Sequence, residues 1–532
     1  MVVKVIGMFY KIPLVHIIGT AGNADFNNAY NVYAVLLTIS TAGLPVAVSK
    51  MVSEANVLGR QKQVHKVFRV SLTAFLTLGL ISFLIMYFGS EQLAGLMNDS
   101  KAALGIKALA PAVVCVGCLS AFRGYAQGHA DMTPTAVSQI IEALSKLFIG
   151  LGLAMYLVKM GQDSEVAAAG AITGVTIGTM LALLYMALDF LRKRAGEPAG
   201  TSTKTQDTGK IVRELLRVAV PITISSSMVG IITVIDSSLV QGQLQHALKM
   251  TEDASRNLYG NYSTALTIYN LPASLMAAIT ASVIPAITAK RTQQDRLGAS
   301  RIATSSLRVS ALLSFPMGVG LFVLGEPIIR LLFGNSDIDF AISGSLLSTL
   351  GIASIFVCIV LVCNSVLQAY GFVNLPVFVM LIGGVVKILV NYNVVAIPSI
   401  NIHGAPLGNV FCFGLVCVLD LMLISRVIPG RPNYSEVFLK PAIAALIMGG
   451  AAWGVYGLGS KVLMGMEQFQ TVNEELNLVE LSRTGNGLAT LAAIAVAGVI
   501  YLILVLALRI LSKEDLALMP KGEKIGKILH IR

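Results

Sequence analysis

Charge is what this sequence has least of. Only 13% of its 532 residues are Asp, Glu, Lys or Arg, against 55% apolar, and the mean hydropathy is +0.76. A soluble globular chain carries about 25% charged residues. A chain this long and this poorly charged cannot cover a water-facing surface, so lipid must be its main solvent. There is no G-x-x-x-x-G-K-[ST] run, so ATP is not expected to drive it. The six cysteines (Cys115, Cys118, Cys358, Cys363, Cys412, Cys417) all fall in apolar runs. Cys115-x-x-Cys118 has metal-ligand spacing, but no second pair or histidine cluster accompanies it, so no metal site is expected. Period-two alternation over about ten residues is missing too, which argues against a membrane β-barrel. No cleavable leader is visible.

Apolar stretches of helix-spanning length are what remains. Fourteen can be drawn: 1–19, 27–49, 70–89, 103–122, 133–157, 166–191, 214–240, 259–289, 305–325, 343–369, 374–397, 404–427, 437–463 and 485–511. The expected fold is therefore an all-α polytopic membrane protein with about 14 transmembrane helices. The first stretch holds Lys4, Lys11, Pro13 and His16 and reads as the second half of a longer helix.

The net charge of +11 invites a nucleic-acid reading, and its distribution rejects it. Lys50, Arg60, Lys62, Lys66 and Arg69 follow the second stretch, Arg192 to Arg213 the sixth, Lys290 to Arg308 the eighth, and Arg509 to Arg532 the fourteenth. These are all even-side segments, while odd-side loops carry Asp337, Asp339, Glu467, Glu474, Glu475 and Glu480. The positive-inside rule then places both termini in the cytoplasm of a plasma-membrane protein, with anionic lipid as a contact.

The chain also repeats itself. "YNVYAVLLTISTAGLPVAVSK" (30–50) matches "YNLPASLMAAITASVIPAITAK" (269–290), and "QGHADMTPTAVSQIIEALSKLFIGL" from Gln127 matches "QAYGFVNLPVFVMLIGGVVKILVNY" from Gln368. Lys146 falls opposite Lys387. Two six-helix halves follow, 1–191 and 214–428, joined by the polar linker 192–213; helices 13 and 14 (437–511) and a tail (512–532) are additions. An even helix number makes the repeats parallel, one of the two symmetries of secondary transporters, whose substrates bind near mid-membrane. Small and hydroxyl residues before Pro45 and Pro285, Gly43 and Ala281 among them, are expected to pack closely at the seam between halves.

The runs "FNNAYNVYAVLLTISTAGLPVAVSKMVSE", "FRGYAQGHADMTPTAVSQIIEALSK" and "YNLPASLMAAITASVIPAIT" resemble the SpoVB/YtgP branch of the MurJ-type flippases, in the multidrug/oligosaccharidyl-lipid/polysaccharide exporter superfamily. The resemblance covers essentially the whole chain. It implies a transporter that flips lipid-linked peptidoglycan precursor (lipid II) across the plasma membrane by alternating access, for cell-wall or spore-cortex synthesis, with the prenyl tail against helices 13 and 14. The Gram-negative branch has an arginine-rich second helix and an arginine in the eighth. Here "YNVYAVLLTISTAGLP" and "TALTIYNLPASL" hold no charge, so those arginines have no counterpart.

Site residues must then come from the charges inside the apolar stretches, each of which costs roughly 2.5–3.5 kcal/mol at mid-membrane on insertion scales. Lys11, His16, Arg123, Lys146 and Lys387 suit a pyrophosphate, and Gln127 and Gln368 suit its sugar or peptide. Glu142 and Lys146, four apart on one helix, are spaced for an ion pair. Glu142 and Asp236 are the coupling-ion candidates, with Na⁺, H⁺ or membrane potential as the driving force. Asp189 and Asp420, near the ends of their stretches, read as capping groups. No cofactor and a monomer are expected. The competing readings are a flippase for another lipid-linked oligosaccharide, a drug exporter, a membrane glycosyltransferase and a non-transporting cell-wall scaffold. The glycosyltransferase lacks its carboxylate–histidine constellation on the long loops 241–257 and 464–484. Cysteine-accessibility labelling tests the topology: residue 204 should react only from the cytoplasm and residue 475 only from outside, and labelling of both from one face contradicts it.

Overall fold

The computed structural model describes residues 2–41, 43–195, 206–334, 339–372, 374–429, 432–473, 478–508 and 510. Most of the predicted linker (196–205), the basic tail from 511, and Asp337, Glu474 and Glu475 lie outside the described residues. The chain is almost entirely helical. In order it forms α1 (Val2–Thr41), α2 (Leu44–Val57), α3 (Gln61–Phe88), α4 (Ser90–Leu96), α5 (Ala102–Gly128), α6 (Thr133–Ser145), α7 (Leu151–Lys159), α8 (Ser164–Ala195), α9 (Thr208–Gly242), α10 (Glu252–Thr292), α11 (Arg296–Val323), α12 (Gly325–Phe333), α13 (Phe340–Ala369), α14 (Leu375–Val394), α15 (Gly404–Val427), α16 (Lys440–Met464) and α17 (Arg483–Ala507). A π-turn, Lys146–Gly150, joins α6 to α7.

Among the described residues twelve helices are long and apolar enough to cross a membrane, not fourteen. One of them, Tyr10–Val57, takes in the first two expected stretches, and the expected stretch 214–240 lies in α9, which is not among the twelve. The first merger is only nominal. Gly19 interrupts α1 with φ 70° and ψ −175°. Residues sixteen apart on a straight helix stand about 24 Å apart, yet Lys11 Nζ donates to Asn27 Oδ1 at 2.7 Å. The two arms of α1 therefore fold toward each other about Gly19.

The proline of the repeated motif acts differently in its two copies. Pro45 stands in the first turn of α2, just after the break that ends α1 at Thr41, because its ring and missing N–H suit a helix start. Pro285 is carried inside α10. Gly43 lies against the backbone of Ala219 in α9, leaving no room for a Cβ. Ala281 is helical, but its side chain lies outside the described residues.

The chain divides into two compact units, 1–260 and 261–532, with the boundary inside α10. In the first, Tyr10, Leu14 and Ile18 from one arm of α1 and Phe26, Ala29 and Tyr33 from the other pack on Leu109 and Val113 of α5 and on Ala168 and Ile172 of α8. In the second, α13 is the central helix, with Ile359, Val362 and Val366 packed on Ala303 and Leu307 of α11 and on Val416 and Ile424 of α15. The repeat is visible in the elements: a 28-residue helix followed at once by a short one occurs as α3–α4 and again as α11–α12. The added helices α16 and α17 dock in the second unit, where Tyr501 donates to Leu312 O at 2.7 Å and Asn486 to Pro327 O at 3.1 Å. Leu80, Ile81, Leu84, Ile85 and Phe88 on α3 stay exposed, as a lipid-facing stripe requires. Between α16 and α17 the strands β1 (Gln470–Asn473) and β2 (Leu478–Leu481) pair antiparallel, with Val472 opposite Val479. Strands of four residues are too short to show a period, so this hairpin was not expected.

Gly19 has a backbone conformation that is essentially restricted to glycine. Gly19→Ala should cost about 1–3 kcal/mol and lower the thermal unfolding temperature in detergent. An unchanged melt would mean that the fold-back does not depend on this residue.

Candidate functional site

The fold-back of α1 builds an aromatic ledge. Tyr10 on the first arm meets Phe26 on the second at 6.0 Å between ring centres, Phe26 stacks on Tyr30 at 6.1 Å, and Tyr30 meets Tyr33 at 5.6 Å. Two ammonium groups rest on it. Lys11 Nζ stands 4.4 Å above Phe26. Lys146 Nζ lies 4.7 Å from the Tyr10 ring, 4.8 Å from Tyr30 and 5.5 Å from Phe26. Lys146 is the first residue of the π-turn, a feature often found at functional sites because it redirects a side chain within a helix. Gly150, closing that turn, packs on Ala171 of α8 and on Tyr10. Ring faces attract cations, and Asn27 supplies an oxygen. Among the described residues no carboxylate is paired with either lysine.

The expected Glu142–Lys146 pair is not formed. Glu142 accepts from Arg123 Nη2 at 3.1 Å, and Arg123 also donates to Ser138 Oγ from Nε at 3.1 Å and from Nη2 at 2.9 Å. The physical reason is geometric. The guanidinium fork on α5 reaches a hydroxyl and a carboxylate at once, while Lys146 is turned to the rings. Of the other sequence candidates, His16 is half-buried on the first arm, Gln127 is half-buried at the end of α5, and Asp236 is buried in α9. Lys387, half-buried on α14, and Gln368, exposed at the end of α13, belong to the second unit. The structure thus brings together Lys11 and Lys146, with Arg123 and Glu142 paired one turn before Lys146.

A second charged cluster was missed from sequence. Arg256 in the first turns of α10 donates to Asp25 from Nε at 2.8 Å and from Nη2 at 2.5 Å, and its Nε stands 3.4 Å from Asp99 Oδ1. All three are at most 2% exposed. Asn28 donates to Asp99 at 2.7 Å, and Arg256 Nη1 reaches Asp253, which also pairs with Lys101. Burial pushes the Asp99 carboxyl above the usual carboxylate range. Alongside it, Gly260 lies against the backbone of Thr20, so the start of α10 is held in the first unit. The available signal was the polar run "GNADFNN" (22–28) between two apolar stretches. A cavity of about 150 Å³ lies elsewhere in this unit, between Phe122, Tyr125 and Phe190. Lys193 stands at it, pairing with Asp131 at 2.7 Å and Asp189 at 2.9 Å. Lys193 holds the Asp131 carboxyl below its usual range.

Residues 1–290 match the family described as polysaccharide biosynthesis protein, and residues 260–393 match the MatE family. The chain belongs to the polysaccharide biosynthesis protein family. Its relatives in Bacillus subtilis (strain 168) include the lipid II flippase MurJ, 25% identical over 86% of this chain and 85% of that protein. Stage V sporulation protein B is 25% identical over 98% and 95%, and the uncharacterized membrane protein YabM 25% over 100% and 94%. In fold, this family member is similar to a solved structure of lipid II flippase MurJ in an inward closed conformation (TM-score 0.69, 16% identity, 94% of this chain and 96% of that one). An inward-facing multidrug transporter of the MATE family also matches (TM-score 0.62, 14% identity, 80% and 98%). The resemblance read from the sequence is thereby met: the chain is a multi-pass membrane protein of the MurJ/sporulation-protein-B flippase superfamily, a class of transporters rather than enzymes.

Removing one partner of the Arg123–Glu142 pair should be harmful and removing both less so. Arg123→Gln is expected to lose about 2 kcal/mol, with Glu142→Gln in the same chain recovering part of it, read as thermal stability in detergent. A single variant as stable as the parent would show the pair to be dispensable.

Proposed function

We propose that this protein flips a lipid-linked, pyrophosphate-bearing glycan precursor, lipid II being the first candidate, across the plasma membrane. The observation that carries the reading is the pair Lys11 and Lys146: two ammonium groups inside apolar helices, on one aromatic ledge, with no carboxylate bound to either. Two amino groups so placed, without a carboxylate from the described residues, suit an anion brought in from outside. Two lysines match the two phosphates of a pyrophosphate, and flat rings suit the apolar faces of sugars. One relative is a lipid II flippase, whose substrate is of this class.

The remaining parts follow as proposals. Both termini lie in the cytoplasm, from the even-side clustering of Lys and Arg. Gln127 and His16 serve the substrate in the first unit, and Gln368 and Lys387 remain substrate-binding candidates of the second. The two coupling-ion candidates stand differently: Glu142 is held by Arg123, and Asp236 is buried in α9. Complementation tests the function. In a bacterial strain depleted of its own lipid II flippase, the parent chain should restore growth and prevent accumulation of lipid-linked precursor. Lys11→Gln/Lys146→Gln should fail at equal membrane abundance. Full rescue by the double variant would remove these lysines from the mechanism.

A further inference from the structure

Asp420 stands apart from every other carboxylate in the described residues. It lies on α15 seven residues before the helix ends at Val427, so about 10 Å from that end, and it is 0% exposed. Neither of its oxygens has a hydrogen-bond partner. It is no capping group, as its place near the end of the stretch had suggested. An apolar cluster packs on this part of the fold: Val416 and Ile424 on its own helix, with Ile359 and Val362 on α13. The titratable groups that bear on it are the thiols of Cys363 on α13 and Cys417 on α15. Beyond them, Tyr434 is committed, its hydroxyl donating to Leu421 O at 2.6 Å. On α14, Gly383 crosses Cys412 and Val416 while Asn391 meets Gly408, so Lys387 and Tyr392 lie toward the opposite end of α15.

The repeat shows that packing does not demand a carboxyl there. Gly170-Ala-x-x-Gly174 on α8 matches Gly404-Ala-x-x-Gly408 on α15. The same register holds in three dimensions: Gly174 packs on Gly150 as Gly408 packs on Asn391, and Gly178 packs on Glu142 as Cys412 packs on Gly383. In that register the counterpart of Asp420 is Met186, 2% exposed. The aspartate of the first unit, Asp189, comes three residues later, where Lys193 neutralises it at 2.9 Å. One unit therefore fills this position with an apolar side chain, and the other with a carboxyl that no group among the described residues answers.

We infer that Asp420 is a proton-binding site of the second unit, loaded and emptied as the protein changes conformation. A buried polar group without a partner calls for a ligand that comes and goes, and a bare carboxylate cannot persist among aliphatic side chains. Sodium does not fit. It needs several oxygens, and α13 and α15 run as unbroken helices past this point, with no unwound backbone to supply carbonyls. Loading forms one O–H bond on Asp420 with a proton taken from water, and emptying returns that proton to water. The site's part in transport rests on the flippase reading; proton binding itself does not.

Infrared difference spectroscopy on the purified full-length protein in lipid reads the proton directly. A protonated-carboxyl carbonyl band should appear in the parent and vanish in Asp420→Asn and in Asp420→Met, the side chain that the repeat itself accepts. Lipid II flipping in vesicles should vary with pH in the parent and lose that variation in both variants. Identical carbonyl spectra for parent and variants overturn the site, whatever the protein transports. Variants that lose the band yet keep the parent's pH profile overturn its part in transport. A parent that shows the band but flips no lipid-linked glycan supports the proton site while failing the flippase reading.

Discussion

Two lysine ammonium groups at membrane depth set the terms for the first unit. Each costs roughly 2.5–3.5 kcal/mol in hydrocarbon on insertion scales, and among the described residues neither is paired with a carboxylate. The surrounding architecture reduces that cost. The reversal at Gly19 brings Tyr10 against Phe26 and Lys11 against Asn27. The π-turn aims Lys146 at three ring faces. Glu142, the carboxylate nearest Lys146 along the chain, is drawn off by Arg123, whose guanidinium Ser138 also holds. An ion pair in place of these contacts would have been electrically quieter and of no use for holding an anion.

The two halves share a plan and differ in their charges. Lys387 is the repeat partner of Lys146, yet α14 continues through it as a regular helix, with no π-turn to redirect its side chain. Asp189 has its lysine, whereas Asp420, one turn deeper in the other half, has none. The polar cluster of Asp25, Asp99 and Arg256 lies in the first unit, where it holds the first turns of α10. A duplicated scaffold thus carries the proposed anion ledge in one copy and, in the other, a carboxyl with no hydrogen-bond partner. That division suits a machine in which substrate and driving ion are bound apart.

How much of this was legible in the sequence depends on distance along the chain. Composition and apolar periodicity specify a helical membrane protein, because bilayer thickness imposes length on every span. The repeat was readable because it preserves Gln, Pro and Lys in order at one offset. Lys11 and Lys146 were conspicuous as charges in apolar runs. What was hidden is contact between residues far apart in sequence. Nothing local says that Gly19 turns the chain back, so the meeting of Lys11 with Asn27 and of Tyr10 with Phe26 could not be foreseen. The i, i+4 spacing of Glu142 and Lys146 suggested the wrong partner, since Arg123 lies nineteen residues upstream of Glu142 and reaches it from another helix. Asp25 and Arg256 are 231 residues apart, beyond any spacing rule. Asp420 looked like one more charge near a helix end until its burial was known.

The central claim is that Lys11 and Lys146 form an anion site that selects a pyrophosphate. Native mass spectrometry of the purified protein with matched polyprenyl lipids, one bearing a pyrophosphate-linked sugar and the other a monophosphate-linked sugar, tests it most directly. The account predicts that the parent retains the pyrophosphate lipid in preference and that Lys11→Gln/Lys146→Gln loses this preference while still holding ordinary membrane lipid. Equal retention of both lipids by the parent, or an undiminished preference in the double variant, would contradict it.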